Sequence, residues 1–476
     1  MTTARAPHDT SPESAARPET RGIELIGDTE RHGRARELFF IWAAPSVSIL
    51  NLTIGATLIL LGLEIWQAVA AILAASLLWV FPGVIAASGP ASGTSGSVVT
   101  RAMYGILGNK LFVAVVGWFI GAVFLSLTWL ASSFMGADLL RRAGLEDPVW
   151  VPIGVTLVVS AVTIIVAIFG HALILRLYPI MAITLFVIFL LVAAFILPTV
   201  DWGYAAPERL SGTALWSAVS IGFTILASTP LSFINSPDLA RYLPRSTKPS
   251  HIAAATALGG ALPFIVFTIV GALLATGLSA DAFAMGLDRA LFDLLPLWLG
   301  PVLVIGVVVN TIALNAMTAY SSSMALQAIG FRLRRIPAAI IVGVVGTALT
   351  IYLVLSSSLL EAANLMLQFL VIVSAPAMAI FVVDVLLRRC SYDGEQLFDD
   401  HPGGRYWYSG GWGLPGITAL VCGGIATAVC LATDVWTGPI AQATGFVDLS
   451  VPVGMIVAGG LYAVLQRTPL GKDGQP

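Results

Sequence analysis

The chain has 476 residues, of which 57% are hydrophobic and only 11% are charged, and its mean hydropathy is +0.91. Because an ordinary soluble domain has roughly 25% charged residues, this composition argues against a soluble protein and predicts an all-α integral membrane protein. The formal net charge of −2 argues against a nucleic-acid partner. The three cysteines are an odd number without metal or redox spacing, which argues against a disulfide framework.

Two polar segments flank the apolar part of the chain. Residues 1–37 contain Pro and Ser and lack the apolar stretch of a signal peptide, so we expect a disordered cytoplasmic tail. Residues 468–476 are expected to form a second, short tail. Between them, residues 38–467 are predicted to form one transporter domain.

Twelve apolar stretches in this domain have about the 20 residues that a helix needs to cross a bilayer. They are numbered spans 1 to 12 in chain order, and spans 11 and 12 occupy residues 413–467. The predicted ranges are 38–62, 65–88, 111–138, 149–170, 172–197, 213–234, 252–277, 297–326, 336–356, 361–387, 413–433 and 447–465.

Basic residues are distributed unevenly between the two sets of loops that twelve spans create. Twenty of the 24 Lys and Arg fall on the side of the two termini, and four fall on the opposite side. Cytoplasmic loops of membrane proteins carry an excess of Lys and Arg. The sequence therefore predicts a multi-pass plasma-membrane protein with both termini in the cytoplasm.

Spans 1 and 6 each contain a proline among hydroxyl-bearing side chains. Each is also the first span of a five-span block, so residues 38–197 and 213–387 are predicted to form an inverted 5+5 repeat. Broken helices at such matched positions bind substrate and ions in transporters, although proline kinks without a binding site are common in membrane helices. The residues concerned are Pro45, Ser46 and Ser48 in span 1, and Ser228, Thr229 and Pro230 in span 6.

Spans 3 and 8 carry polar or aromatic side chains on otherwise apolar helices. In span 3, Trp129 is followed one turn later by Ser133. Buried polar groups need partners, which are either a polar ligand or neighbouring helices packed closely through small residues. The polar residues of span 8 are Asn310, Thr311, Asn315 and Thr318.

Six motifs occur in a fixed order along the chain. They are Trp42 and Gly55 in span 1, GPASGTSGSVVTRAMYGILG after span 2, NSPDLARYLP in and after span 6, NAMTAYS in span 8, SAPAMAIFVVDVLLRR in span 10 and GGRYWYSGG before span 11. Together they resemble the motifs of the nucleobase–cation symporter family, the purine–cytosine permease group, over essentially all of residues 38–467. The resemblance implies a leucine-transporter-like fold, a 5+5 inverted repeat plus two C-terminal helices.

The resemblance also implies roles for individual residues at a site between spans 1, 3, 6, 8 and 10. A planar substrate would stack on Trp129, with Ser133 and the amide of Asn315 beside it. Asp238 and Arg241 would form a structural pair at the cytoplasmic gate. The chain departs from the family pattern at three positions, where relatives have an asparagine, an aromatic residue and an asparagine: Ser46, Thr229 and Thr318.

The function expected from this resemblance is import of a small planar nitrogen heterocycle, such as cytosine or a purine, by cation symport. The substrate would contact Trp129, Ser133, Asn315 and four further residues, and Ser46 and Thr311 would bind the cation. Away from their ends, the predicted spans contain no Asp, Glu, Lys or Arg, which favours sodium over a proton. The further substrate-binding residues are Ser48, Ser228, Thr229 and Thr318.

Other functions remain open at this point. The same scaffold could carry a hydantoin, allantoin, a vitamin or an amino acid. A channel or a membrane enzyme is a remote alternative, because motifs such as HExxH and GxSxG are absent from the sequence. No cofactor is expected, the partners are a small-molecule substrate and the lipid bilayer, and the oligomeric state is left open. The glycine-rich segment GPASGTSG is predicted to be a flexible loop and not a phosphate-binding loop.

Overall fold

The computed structural model describes residues 15–144, 150–278, 287–331, 333–356, 359–433 and 436–472. These residues form helices joined by turns, with two isolated β-bridges and no β-strand among them. The all-α prediction is confirmed. The three cysteines lie within the described residues and are free.

The helices of the first five spans begin and end within a few residues of the predicted limits, except that span 3 begins earlier and spans 1 to 3 consist of several pieces. Span 1 is Arg36–Ser46 and Ile49–Leu60, and span 2 is Ile65–Ser76, the 3₁₀ turn Leu77–Trp79, Val80–Ala86 and Ser88–Ser92. Span 3 is Arg101–Phe112, the π-helical turn Val113–Phe119 and Ile120–Arg142. Spans 4 and 5 are Trp150–Phe169 and His171–Ile196.

Spans 6 to 12 also have helices at the predicted positions. They are Gly212–Ala227 with Asn235–Ala240, Pro249–Thr276, Leu299–Ile329, Arg335–Ser356, Leu359–Leu387, Leu414–Cys430 and Ser450–Leu465. Three short helices in the connections were not expected from the sequence, and they are Gly96–Val99, Leu287–Leu294 and Pro439–Ala443.

Eight helices in the described part of the chain are long and apolar enough to cross a membrane, and the two halves of span 1 make a ninth candidate. Three shorter apolar helices coincide with spans 6, 11 and 12. These helices are consistent with twelve spans. Spans 4 and 5 expose large apolar side chains, including Val158, Ile165, Ile180 and Val187, and such a surface is stable against lipid but not against water.

Span 1 breaks where the sequence places a proline. Pro45 lacks a backbone N–H and its ring crowds the preceding turn, so the helix cannot continue undisturbed. The two halves meet at an angle of 61°. Ser48 begins the second half as its N-cap, because its hydroxyl accepts a hydrogen bond from the backbone nitrogen of Asn51 at 3.3 Å.

Span 6 is interrupted over a longer stretch. Its first helix ends at Ala227, turns without regular helix follow, and a second helix begins at Asn235. Pro230 lies inside the interruption. In both spans, the helix is therefore interrupted where the sequence pattern predicts a break.

Spans 1 and 7 pack with their backbones in close contact. A Cβ atom on Gly55 would lie 1.8 Å from the carbonyl oxygen of Thr268, and one on Gly271 would lie 2.0 Å from the carbonyl oxygen of Leu52. Only glycine permits this distance. The contact fixes the second half of span 1, and with it one wall of the cavity described below, against span 7.

The N-terminal segment, residues 19–32, is packed against the bundle, in contrast to the expected disordered tail. Ile26 is 1% exposed and its backbone nitrogen donates to the carbonyl oxygen of Gly93 at 2.8 Å. The Arg31 guanidinium donates to the carbonyl oxygen of Pro90. The prediction failed for this segment because its partners lie far along the chain, so its polar composition did not reveal them. Residues 1–14 lie outside the described residues.

The glycine-rich segment after span 2 is also ordered. It forms the short helices Ser88–Ser92 and Gly96–Val99, and the prediction of a flexible loop is wrong. Gly93 turns the chain between them with a φ of +70°, a conformation that favours glycine. The hydroxyl of Ser92 donates to the carbonyl oxygen of Ser88 at 2.7 Å. The carbonyl oxygen of Gly93 accepts a hydrogen bond from the backbone nitrogen of Ile26, which joins the glycine-rich segment to the N-terminal segment.

Candidate functional site: the cavity between the broken spans

A cavity lies where the breaks of spans 1 and 6 face each other, closed on its other sides by spans 2, 3 and 8. The space open to the centres of water molecules is about 40 Å³. Its walls are aromatic, apolar and neutral polar side chains, with no charged residue among those that line it. They are Trp42, Pro45, Ser46, Ser48, Leu50, Asn51, Trp79, Phe124, Ser228, Thr229, Ser232, Asn235, Leu314, Met317 and Thr318.

Three aromatic rings form the apolar part of the wall. Trp42 and Trp79 contact each other edge to face, with 5.5 Å between ring centroids and 75° between ring planes. Phe124 lies on span 3. Each of the two indole nitrogens is buried and has no hydrogen-bond partner in the described structure. Since buried indole N–H groups usually find an acceptor, these two are unsatisfied donors in this state.

Two more polar atoms of the wall lack partners. Asn51 donates through Nδ2 to the carbonyl oxygen of Ser46 at 2.6 Å, which fixes its amide and leaves Oδ1 as an unpaired acceptor. The hydroxyl of Thr229 is buried and has no partner within the described residues. The wall therefore offers donors, an acceptor and a hydroxyl that can serve as either. Unpaired buried polar groups cost free energy unless a ligand or water satisfies them.

The cavity brings together five of the residues predicted from the sequence. Ser46, Ser48, Ser228, Thr229 and Thr318 all line it. Several other lining residues were not predicted as site residues from the sequence. Trp42 appeared only as part of a family motif, and the polar side chains of Asn51 and Asn235 beside the two breaks were the signal that could have revealed them. Nothing in the sequence pointed to Trp79 or Phe124.

Trp129, predicted to stack on the substrate, does not line this cavity. It is 0% exposed, its Nε1 donates to the hydroxyl of Thr163 on span 4 at 3.3 Å, and its ring lies against Gly346 of span 9. The reason is helical register. Trp129 follows the cavity residue Phe124 by five positions, which turns it about 140° around the helix axis.

Ser133 and Asn315 are likewise outside the cavity. The hydroxyl of Ser133 pairs with Thr156 of span 4 at 2.7 Å. Asn315 connects spans 3 and 8, since its Nδ2 donates to the carbonyl oxygen of Leu125 at 3.2 Å and its Oδ1 accepts from Thr128 at 2.6 Å. These three side chains are saturated by helix–helix contacts, the alternative that small residues in span 3 had indicated.

The two residues predicted to bind a cation have different hydrogen-bond partners within the protein. Ser46 lies in the break of span 1 and its carbonyl oxygen accepts from Asn51. The hydroxyl of Thr311 is hydrogen-bonded to that of Ser132 on span 3. Neither of these hydrogen bonds joins Ser46 to Thr311.

Asp238 and Arg241 do not form a direct ion pair either. Asp238 accepts a hydrogen bond from the backbone nitrogen of Gly96 at 2.7 Å. Arg241 instead donates to Glu19 of the N-terminal segment at 3.2 Å and to the hydroxyl of Tyr320 at 3.0 Å. The predicted pair is not formed because Glu19, more than 200 residues earlier in the chain, binds the guanidinium instead.

The sequence profile of one protein family matches residues 25–454, nearly the whole chain, and the family is described as "Permease for cytosine/purines, uracil, thiamine, allantoin". The chain belongs to this family. YxlA of Bacillus subtilis (strain 168), which is named as a purine-cytosine permease, is 28% identical over 480 residues, covering 95% of this chain and 97% of YxlA. The predicted family is confirmed, and the chain is a membrane permease, not an enzyme.

Solved structures confirm the fold. The nucleobase-cation-symport-1 family transporter Mhp1, in a closed conformation with bromovinylhydantoin bound, superposes with a TM-score of 0.69 at 17% identity, covering 96% of this chain and 97% of Mhp1. A Na+-coupled sialic acid symporter gives a TM-score of 0.58 at 11% identity, covering 92% of this chain and 90% of that one. The leucine-transporter-like transporter fold predicted from the motifs is therefore correct.

Proposed function

We propose that this permease imports a small, neutral, planar nitrogen heterocycle together with a cation, by alternating access around the cavity between spans 1 and 6. The observation that carries the proposal is the set of unpaired polar atoms in an aromatic wall. The indole nitrogens of Trp42 and Trp79 offer two donors, Oδ1 of Asn51 offers an acceptor and Thr229 offers a hydroxyl. A nucleobase presents ring nitrogens, carbonyl oxygens and N–H groups to such a wall.

Because no lining residue is charged, the cavity favours the neutral substrates in the family description over the charged ones. A cationic ring such as thiamine would be desolvated without a carboxylate partner, which is costly in a buried site. An amino acid would bring two charges. Cytosine, uracil, a purine, allantoin or a hydantoin is neutral and can be satisfied by hydrogen bonds alone. We favour a nucleobase because the wall combines several aromatic rings with both donors and acceptors.

The cavity is narrow, so transport requires its walls to move apart. A space of about 40 Å³ for water centres holds only a few water molecules, and a ring substrate is larger. The broken spans permit such motion, because half-helices can move without breaking regular hydrogen bonds elsewhere. We propose that residues 38–197 and 213–387 are the two repeats, that spans 1 and 7, whose backbones are in close contact, move as one unit relative to spans 3 and 8, and that both termini are cytoplasmic.

The N-terminal segment would close the cytoplasmic side in the state seen here. Glu19 accepts hydrogen bonds from Arg241, from the hydroxyl of Tyr242 at 2.8 Å and from the hydroxyl of Tyr320 at 3.0 Å. It thereby connects the second half of span 6 with span 8. We propose that this cluster, and not a pair of Asp238 with Arg241, is the cytoplasmic gate.

The proposal is tested by uptake into proteoliposomes that contain the full chain. A panel of cytosine, uracil, adenine, allantoin, hydantoin, thiamine and phenylalanine is presented to the protein, and trans-stimulation by internal substrate distinguishes a carrier from a channel. We expect saturable, trans-stimulated uptake of at least one neutral ring. Saturable uptake of thiamine or phenylalanine alone, or flux without trans-stimulation, would refute the proposal.

A further inference from the structure

The break in span 1 frees backbone carbonyl oxygens that have no partner inside the helix. The carbonyls of Ala44, Pro45 and Ser46 precede the bend, and the residues after it begin a new helix with its own hydrogen bonds. In transporters with broken helices, such unwound carbonyls coordinate the coupling sodium ion. Whether sodium fits here depends on what these three oxygens contact.

All three carbonyl oxygens accept hydrogen bonds from side-chain amides. Nδ2 of Asn310 on span 8 donates to the carbonyl oxygen of Ala44 at 3.1 Å and to that of Pro45 at 3.0 Å. Nδ2 of Asn51 donates to the carbonyl oxygen of Ser46 at 2.6 Å. Both asparagines are buried, Asn310 at 5% and Asn51 at 1% exposure. The freed carbonyls are thus satisfied by the protein itself.

An amide N–H and a cation compete for the same position. Each needs the lone pairs of the carbonyl oxygens, and each brings positive charge to them. Sodium also needs further oxygen ligands from span 8, where Asn310 turns its amide N–H, and not its Oδ1, toward the carbonyl oxygens of the break. The hydroxyl of Thr311 is paired with Ser132, and Gly306 and Val307, one turn earlier, have no side-chain oxygen.

We propose that the amide of Asn310 takes the place of the sodium ion at the break of span 1, so that substrate binding and uptake by this permease do not depend on sodium. This inference rests on the proposed function, because its test measures binding and uptake of the substrate. It assigns Asn310 a positioning role, because the amide holds the end of the first half of span 1 against span 8 without lining the cavity. Sodium coupling, which the sequence analysis favoured, is thereby replaced by coupling to another cation.

The test measures substrate binding to the purified full chain in detergent and uptake in proteoliposomes, each with sodium and with sodium replaced by N-methylglucamine. We expect dissociation constants that differ by less than twofold and no uptake of ²²Na⁺ with the substrate. Uptake should respond to an inward pH gradient imposed in sodium-free buffer. Substrate binding at least tenfold tighter in 100 mM sodium, or stoichiometric ²²Na⁺ uptake, would overturn the inference.

Substitutions of Asn310 and Asn315 test whether the amide of Asn310 is the group that excludes sodium. Asn310→Asp exchanges the N–H donor for an anionic acceptor at the same position, and we expect binding to become sodium-dependent by at least fivefold. Asn315→Asp, five residues further on the same helix, should show no sodium response because Asn315 contacts span 3 and not the break. If Asn310→Ala instead abolishes a sodium dependence present in the parent protein, Asn310 is a sodium ligand and the inference fails.

The outcomes separate this inference from the proposed function. If no neutral ring binds in either buffer, the proposed substrate class is wrong, and ²²Na⁺ flux alone decides the sodium question. If a ring binds and requires sodium, the substrate class stands and only the inference about Asn310 falls. Should the Asn310 variants fail to fold, the comparison of buffers with the parent protein still decides the matter.

Discussion

The guanidinium of Arg241 and the carboxylate of Glu19 form an ion pair with 3.2 Å between Nη2 and Oε1, in which both side chains are almost completely buried. It joins the N-terminal segment to the second half of span 6. Arg241 also donates to the carbonyl oxygen of Gly22 at 2.6 Å. A segment of polar composition is thus anchored to a helix more than 200 residues away.

Breaking this pair should open the cytoplasmic side. Removing one partner of a buried ion pair typically costs about 3–5 kcal/mol, because the other charge is left without compensation. We expect Glu19→Ala to raise the rate at which a cysteine substituted for Asn235, at the cavity wall, reacts with a membrane-impermeant maleimide from the cytoplasmic side.

The control for this variant is the exposed pair of Arg245 and Asp28, 3.1 Å apart, in which more than half of each side chain is accessible. Exposed pairs contribute about 0–1 kcal/mol, so Arg245→Ala, which leaves Asp28 paired with Arg31, should leave the labelling rate unchanged within twofold. Equal effects of both variants would show that Glu19 has no special role in closure.

The indole nitrogens of the cavity should matter for affinity and that of Trp129 should not. Trp79→Phe keeps an aromatic ring but removes a donor, and the loss of one hydrogen bond of about 0.5–1.5 kcal/mol weakens binding about twofold to tenfold. Trp129→Phe removes the hydrogen bond with Thr163 and the ring atoms packed against Gly346, and it should change thermal stability without changing the dissociation constant of the substrate. A loss of affinity in Trp129→Phe but not in Trp79→Phe would restore the stacking role that the sequence had indicated.

The backbone contact between spans 1 and 7 predicts a sharp difference between two glycine substitutions. Gly55→Ala would place a methyl group 1.8 Å from the carbonyl oxygen of Thr268, and overpacking of this kind costs about 1–3 kcal/mol or more. Gly460→Ala, in span 12, has no atom within 4 Å of the added carbon and should be neutral or slightly stabilising, because alanine favours helices. The midpoint of thermal unfolding in detergent measures both, and similar midpoints would show that spans 1 and 7 adjust freely.

The orientation of the protein is tested by single-cysteine labelling in intact cells. Lys248→Cys and His401→Cys should be protected from an impermeant reagent, whereas Trp202→Cys and Arg209→Cys on the opposite set of loops should react. The excess of basic residues on the side of the termini is the reason for this expectation. Labelling of all four positions from outside would invalidate the twelve-span topology.

The spans, the breaks and the family could be predicted from the sequence because their signals are local. An apolar stretch of about 20 residues, or Pro45 within one, acts on its own part of the chain. The orientation of span 3 could not be predicted, because helical periodicity shows which residues share a face but not which neighbour that face contacts. Trp129 and Phe124 are on the same helix, and only packing against spans 4 and 9 decides which one borders the cavity.

The roles of Asn310 and Glu19 were hidden for a related reason. Each side chain is satisfied by groups that are far away in sequence, namely the carbonyl oxygens at Ala44 and Pro45 and the guanidinium of Arg241. An asparagine in an apolar helix shows that a polar partner exists. It does not show whether that partner is a ligand, a cation or the backbone of another span.

We propose that unpaired polar atoms of the cavity residues bind a neutral ring. The substrate affinity of Thr229→Val tests this proposal. This substitution retains the shape of the side chain and removes only the hydroxyl, and Thr163→Val, a hydroxyl outside the cavity, is its matched control. We expect Thr229→Val to raise the dissociation constant of the transported ring about threefold to tenfold. Thr163→Val should raise it less than twofold. Unchanged affinity in Thr229→Val, or an equal loss in both variants, would contradict the proposal.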